Sequence, residues 1–275
     1  NVDGNIDCSA YRDLLRWYLS LGVGGFFANC LSSDMFSLER ADAERLVALA
    51  VEVSGGAVPV VATGSIGPDQ SRHIEWSGRL SKLGVDAVML LQPEFCQDEP
   101  ALERYYMAVA ESVDVDLGLY ECPVPRHRLL SPELIGKLAH TGRFVAYKET
   151  SCEIATVKAK LEACRNTRLK ILQANLPILQ EVQKLGGAGT MGIIVNAFPD
   201  LTARCLDHLK TNHPICDLWC RLCLGEAILR LDIPLATRYV LGKRGLPVKT
   251  ITRRVSAVPE ETAMLIDTLL PMVLG

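Results

Sequence analysis

The sequence has no surplus of charge of either sign. Lys and Arg number 29 and Asp and Glu 32, for a net charge of −3. It therefore has no basic footprint for a phosphate backbone, and no nucleic-acid partner is expected. It also lacks any apolar run of the roughly 18 residues that a bilayer-spanning helix needs, so no membrane partner is expected. The opening Asn1–Asp7 is polar and does not read as a secretory signal. No Pro/Ser-rich linker, low-complexity tract or short repeat breaks the chain. No H-x-H pair and no carboxylate cluster falls at the end of an apolar run, so neither a metal nor another cofactor is expected. The ten cysteines show no pairing pattern. In a chain of 275 residues with 49% hydrophobic content we read them as reduced thiols of a cytoplasmic protein. Cys216, Cys220 and Cys223, with His213 upstream, form the tightest group. They lack the second ligand pair of a usual zinc site. They fall within a helical rhythm (Leu218, Leu222, Leu224, Ile228), which predicts small thiols packed at a helix interface.

What is present is an alternation of short apolar runs with longer amphipathic segments. The runs are Gly25–Asn29, Val58–Thr63, Asp86–Leu91, Leu117–Glu121, Phe144–Lys148, Lys170–Ala174 and Gly192–Val195. Nearly continuous apolar character predicts strands buried on both faces, as in a parallel sheet. Ser131-Pro132-Glu133 reads as a helix start, with Ser as cap and Pro in the first turn. A βα repeat predicts a barrel or a doubly wound sheet, and a single barrel takes about 250 residues. Seven runs are one short of a closed barrel. The chain opens on a turn-like NVDGN and goes straight into a helix, so we expect the missing first strand upstream of Asn1. An open seam would leave strand edges unpaired. After Val195 the alternation stops, and helices are predicted over 199–209, 214–231, 234–242 and 260–270. The expectation is thus an α/β protein, with a (β/α)8 TIM barrel over 1–198 and a C-terminal helical subdomain over 199–275.

TIM barrels place their working groups at the C-terminal ends of strands. Lys148 ends the run Phe144-Val145-Ala146-Tyr147. Apolar surroundings disfavour a charged lysine, which frees the amine to attack a carbonyl. The competing reading is a strand-end lysine paired with Glu149 in solvent. Tyr120 ends the preceding run. It reads either as a proton-carrying phenol or as an amphipathic cap on the barrel core.

At these residues the sequence resembles the dihydrodipicolinate synthase and N-acetylneuraminate lyase superfamily. Phe144–Ser151 (FVAYKETS) resembles its Schiff-base strand, I-x-G-I-K-[ED]-[AS]-[ST]. Tyr120-Glu121-Cys122-Pro123 resembles its Y-N-x-P. Gly186–Asn196 (GGAGTMGIIVN) resembles its G-G-x-G-x-I-S-x-x-x-N. Gly22–Asn29, with Phe36-Ser37-Leu38 beyond it, resembles the block around its G-T-T-G-E. Four stretches in the family's order, over most of the chain, make the resemblance specific. It implies a class I aldolase or lyase in which Lys148 forms a Schiff base with pyruvate or a related 2-keto acid. Tyr120 shuttles protons, and Ser32 and Ser33 hold the keto-acid carboxylate. Met191 and Gly192 line the opposite wall, and Thr150 contacts substrate. The resemblance also implies a homotetramer, a dimer of dimers.

The departures are as informative. G-T-T-G-E becomes Cys30-Leu31-Ser32-Ser33-Asp34, and the family's P-Y-Y aligns with Pro93-Glu94-Phe95. Leu31 and Phe95 lack the hydroxyls of the synthase's proton relay, which leaves Tyr120. The arginine after Y-N-x-P aligns with Pro125. Arg126, His127 and Arg128 beside it read either as a distal carboxylate site or as a basic loop in solvent. These changes argue against true dihydrodipicolinate synthase activity. The alternative is a non-catalytic, ligand-binding paralogue that keeps the barrel and has lost the relay.

Overall fold

The computed structural model describes residues 4–253 and 257–275. Of the turn-like opening, residues 1–3 lie outside them. In chain order the elements are α1 (Cys8–Ser20), β1 (Phe26–Ala28), α2 (Arg40–Ser54), β2 (Val60–Thr63), α3 (Gln70–Lys82), β3 (Ala87–Leu90), α4 (Glu99–Ser112), β4 (Asp116–Tyr120), α5 (Pro132–His140), β5 (Phe144–Glu149), α6 (Ile154–Ala163), β6 (Lys170–Gln173), α7 (Leu179–Lys184), β7 (Gly189–Thr190), α8 (Ile193–Ala197), α9 (Pro199–Lys210), α10 (Cys216–Leu229), α11 (Leu235–Lys243) and α12 (Glu260–Leu274). They gather into two compact units. One comprises Gly25–Leu31 and Pro59–Met191; the other comprises Asn1–Gly24, Ser32–Val58 and Gly192–Gly275.

The first of these units holds one parallel sheet of seven strands, in the order β1 to β7, among the described residues. Parallel neighbours need crossover connections, and the helices between the strands supply them. β2 and β3 are buried at every residue, which accounts for their unbroken apolar runs. Helix starts follow local chemistry. The side chains of Asp69, Asp98 and Ser131 accept from Arg72 N, Ala101 N and Leu134 N at 2.9, 2.8 and 3.1 Å. Pro132 then occupies the first turn of α5, as the sequence predicts.

Gly118 in β4 marks the tightest approach within the sheet. A Cβ there would sit 2.2 Å from Met89 Sδ and 3.0 Å from Ala146 O. The pairing of β4 with β5 also shifts register between Leu117 and Gly118. Gly118→Ala therefore overpacks the layer beneath the strand ends. We expect it to destabilise the fold by about 1–3 kcal/mol in denaturant titration; an unchanged midpoint would show that Met89 gives way freely.

Two expectations are corrected. Gly192–Val195 does not form the seventh strand. That strand is Gly189–Thr190, pairing Leu172 with Gly189 and Gln173 with Thr190, while Ile193–Ala197 coils as α8. Four apolar residues carry no period that separates strand from helix. The thiols of Cys216, Cys220 and Cys223 are exposed rather than packed; the buried face of α10 uses Leu218, Leu222 and Ile228 instead.

The second unit is helical: α1, α2 and α8 to α12. Tyr18 donates to Asn196 O at 2.7 Å. The Arg244 guanidinium grips Asp200 at 2.8 and 3.0 Å and lies 4.8 Å from the Trp17 ring centroid. α9 to α12 match the predicted tail helices within a few residues at each end. No helix among the described residues is long and apolar enough to cross a membrane.

Candidate active site

Tyr120 and Lys148 are register partners on adjacent parallel strands, at the C-terminal ends of β4 and β5. Such partners project to the same face of a sheet. Lys148 Nζ lies 4.4 Å from the centroid of the Tyr120 ring and 5.5 Å from that of Phe27 in β1. The two rings meet edge to face at 5.5 Å. Lys148 is 8% exposed, and no carboxylate of the described residues pairs with its ammonium. Burial pushes its pKa below the ordinary lysine range, against the opposing pull of the Cys30 and Cys122 thiols. Aromatic faces favour the charged form by about 0.5–2 kcal/mol, but loss of water wins. The pairing of Lys148 with Glu149 in solvent does not occur. Glu149 is fully buried and its Oε1 lies 3.0 Å from a different lysine, Lys160.

Tyr120 is also buried, and burial raises its phenol well above the ordinary range. The neighbouring Cys122 and Cys30 thiols add to the shift. The phenol stays protonated, and its ring face lies under the lysine amine. Cys122 itself is pushed up by burial. The sequence reading gave Cys122 no role; its place two residues beyond Tyr120, just past the strand end, was the available signal.

Thr150 sits at the same strand end. Its N–H donates to Glu121 Oε2 at 3.0 Å, and its Oγ1 lies 2.7 Å from His127 Nε2 and 3.1 Å from the Glu121 carbonyl oxygen. Asn175 Nδ2 donates to the Thr150 carbonyl at 3.0 Å. The basic loop divides by role. The Arg128 guanidinium donates to the Gln92 and Pro93 carbonyls, at 2.8 Å each, and so ties its own loop to the one after β3. His127 faces Thr150, and Arg126 is exposed.

Met191 follows β7 and donates to Gln173 O at 3.0 Å. Gly192 is the N-cap of α8. Ser32 and Ser33 lie with Leu31 in a short 3-10 turn, all three half-buried. Phe95 is 44% exposed and rests 5.6 Å from the rings of both His73 and Tyr105. Thus Lys148 and Tyr120 touch, and Thr150 and Met191 belong to the same unit as they do; Ser32, Ser33 and Gly192 belong to the other. Among the described residues, no group of three or more His, Cys, Asp or Glu is placed to hold a metal ion.

The site has a polar backing that sequence reasoning missed: Lys160, Glu121, Glu149, Tyr147 and Gln173. A signal for it did exist. Val157, Lys160 and Cys164 fall at helical spacing on one buried stripe, and a lysine there needs a partner.

Comparison with known proteins shows the family. The Dihydrodipicolinate synthetase family model matches residues 1–256. A 4-hydroxy-tetrahydrodipicolinate synthase of Clostridium perfringens is 25% identical over 255 residues, covering 90% of this chain and 82% of the relative. One from Shewanella is 27% identical over 263 residues, covering 94% and 85%. Among solved structures, YagE of E. coli K12, a family protein in complex with pyruvate, superposes with a TM-score of 0.91 at 22% identity, covering 100% of this chain and 95% of that one. Dihydrodipicolinate synthase DapA-2 of Bacillus anthracis gives a TM-score of 0.91 at 19% identity, covering 100% and 94%. The fold is that of these TIM-barrel proteins, with a C-terminal helical region, and the chain belongs to the dihydrodipicolinate synthetase family.

Proposed function

We propose that this chain is a class I aldolase or lyase that binds pyruvate or a related 2-keto acid as a Schiff base on Lys148. The observation that carries this reading is a buried lysine without a carboxylate, set against a protonated phenol at the ends of neighbouring strands. The neutral amine attacks C2 of the keto acid, forming the N–C bond, and Tyr120 gives its proton to the carbonyl oxygen. The phenolate takes a proton back from nitrogen. It then protonates the departing hydroxyl, so water leaves and a protonated imine remains. That imine is an electron sink. As the adjacent carbon–carbon bond breaks, its electron pair flows into the imine to give an enamine, and the Tyr120 phenolate accepts the substrate hydroxyl proton. Condensation runs these steps in reverse.

By their place in the motifs, Ser32 and Ser33 take the keto-acid carboxylate. Met191 and Gly192 line the pocket, and Thr150 contacts the distal part of the substrate. Leu31 and Phe95 supply no hydroxyl, so dihydrodipicolinate synthesis is not the reaction we assign; relays of that kind are worth about 10²–10⁴-fold in rate. A homotetramer is the proposed assembly and the cytoplasm the proposed setting, where ten cysteines outside any disulfide would stay reduced.

The test is borohydride reduction in the presence of pyruvate and a panel of 2-keto acids and sugar acids, read by peptide mass spectrometry. A reduced adduct on Lys148, with cleavage of at least one panel member, is the expected result. An adduct without turnover of any member would favour a ligand-binding paralogue, the reading that Leu31 and Phe95 support. No adduct with any keto acid would end the Schiff-base assignment.

A further inference from the structure

Behind the strands that carry Lys148 lies a second lysine that takes no part in the chemistry above. Lys160, on α6, is fully buried. Its Nζ is 2.8 Å from Glu121 Oε1, 3.0 Å from Glu149 Oε1 and 2.7 Å from Tyr147 OH. Tyr147 and Glu149 flank Lys148, and Glu121 follows Tyr120. Successive strand residues point to opposite faces. The groups that grip Lys160 therefore leave the sheet on the side away from Lys148 and Tyr120. The net extends further. Gln173 Nε2 donates to Glu149 Oε2 at 2.7 Å, tying in β6. The Glu121 carboxylate also accepts from Leu130 N at 2.8 Å and Thr150 N at 3.0 Å. Burial alone would raise the Glu149 carboxyl, but Lys160 and the hydrogen bonds from Ser151 and Gln173 hold it below the ordinary range.

Stability alone does not account for this cluster. Replacing a buried ion pair with apolar side chains of similar volume is often neutral or stabilising, because both charges must be stripped of water. What an ionic net adds is direction: short, angle-dependent bonds fix one strand against the next. We propose that Lys160 is a positioning residue, which through Tyr147, Glu149 and Glu121 sets β5 against β4 so that Lys148 and Tyr120 meet on the opposite face. What that pair does chemically rests on the Schiff-base reading; the positioning does not.

The variant Lys160→Met removes the cation and keeps the chain length. Lys160→Arg restores the charge. If Lys160→Met fails to fold, the triple variant Lys160→Met, Glu121→Gln, Glu149→Gln removes every charge of the net together and replaces it in the comparison. Two readouts are taken on soluble protein of matched circular dichroism: the rate of borohydride trapping with pyruvate, and the pH profile of Lys148 acylation by acetic anhydride. The groups facing Lys148 in that titration are Tyr120, Phe27, Cys30 and Cys122. We expect trapping to slow by up to about 100-fold, the effect of misplacing a reacting group by an ångström or so. The acylation midpoint should move to higher pH as water reaches the amine, and Lys160→Arg should recover part of both. A folded variant with a lowered Tm but wild-type trapping and a wild-type acylation midpoint would overturn the proposal. If the wild type traps no keto acid, the Schiff-base reading falls alone, and the acylation profile still decides the role of Lys160.

Discussion

Lys148→Met is expected to abolish borohydride trapping and, at the same time, to make the protein more stable at neutral pH. The two effects share one cause. Lys148 is a buried amine with no carboxylate partner among the described residues, and charging such a group costs folding energy. Methionine fills the same slot between Phe27 and Tyr120, with a soft sulfur suited to ring edges. The gain should be about 0.5–2 kcal/mol, the usual return on relieving a functional site. Its pH dependence has a definite sign. The folded lysine titrates below the unfolded one. Below the folded pKa both states are charged, and the wild type carries the full cost of burial. Between the two values the unfolded chain holds more protons, so wild-type stability climbs with pH. The advantage of methionine therefore shrinks through that window and is gone above the ordinary lysine range. Thermal melts of both proteins at neutral and strongly alkaline pH measure it. A variant less stable than wild type at neutral pH would show that the lysine is not held against its charge.

Tyr120→Phe should lower kcat by about 10²–10⁴-fold, the range for loss of a positioned acid–base group. The ring that packs on Phe27 and Lys148 is kept, so KM for the keto acid and the melting temperature should change little. With Leu31 and Phe95 supplying no hydroxyl, the groups that act on the Tyr120 phenol include the Cys122 and Cys30 thiols. A Tyr120→Phe enzyme with near-wild-type kcat would mean that the proton path runs through the substrate or solvent and bypasses this phenol.

The sequence carried the repeat clearly. Six of the seven strands fall on predicted runs because each has an apolar centre closed by a turn. The seventh was misplaced because β7 is two residues long, Gly189 and Thr190, with no apolar pattern of its own, while the neighbouring GIIV looks like a strand. Lys148 and Tyr120 were visible as strand-end residues, and their shared motif context singled them out. Their actual relation, one side chain over the other's ring, depends on the β4–β5 register and is not written in local composition. Lys160 was missed for a different reason. In KAKLEA it looks like one of several solvated helix lysines, and only its phase with Val157 and Cys164 sets it apart.

The two-faced construction of β5 has a consequence for how this gene can drift. Along Tyr147-Lys148-Glu149 the outer, inner and outer assignments are fixed by parity alone. Many substitutions in the strand would alter one contact and leave the others standing. Loss or gain of a single codon within Phe144–Glu149 would instead trade the two faces in one step, sending Lys148 into the carboxylates behind the sheet and a neighbour into the site. β5 should therefore accept new letters far more readily than a new length. A library scored for Lys148 trapping should recover point variants of this strand while returning almost no single-residue insertions or deletions.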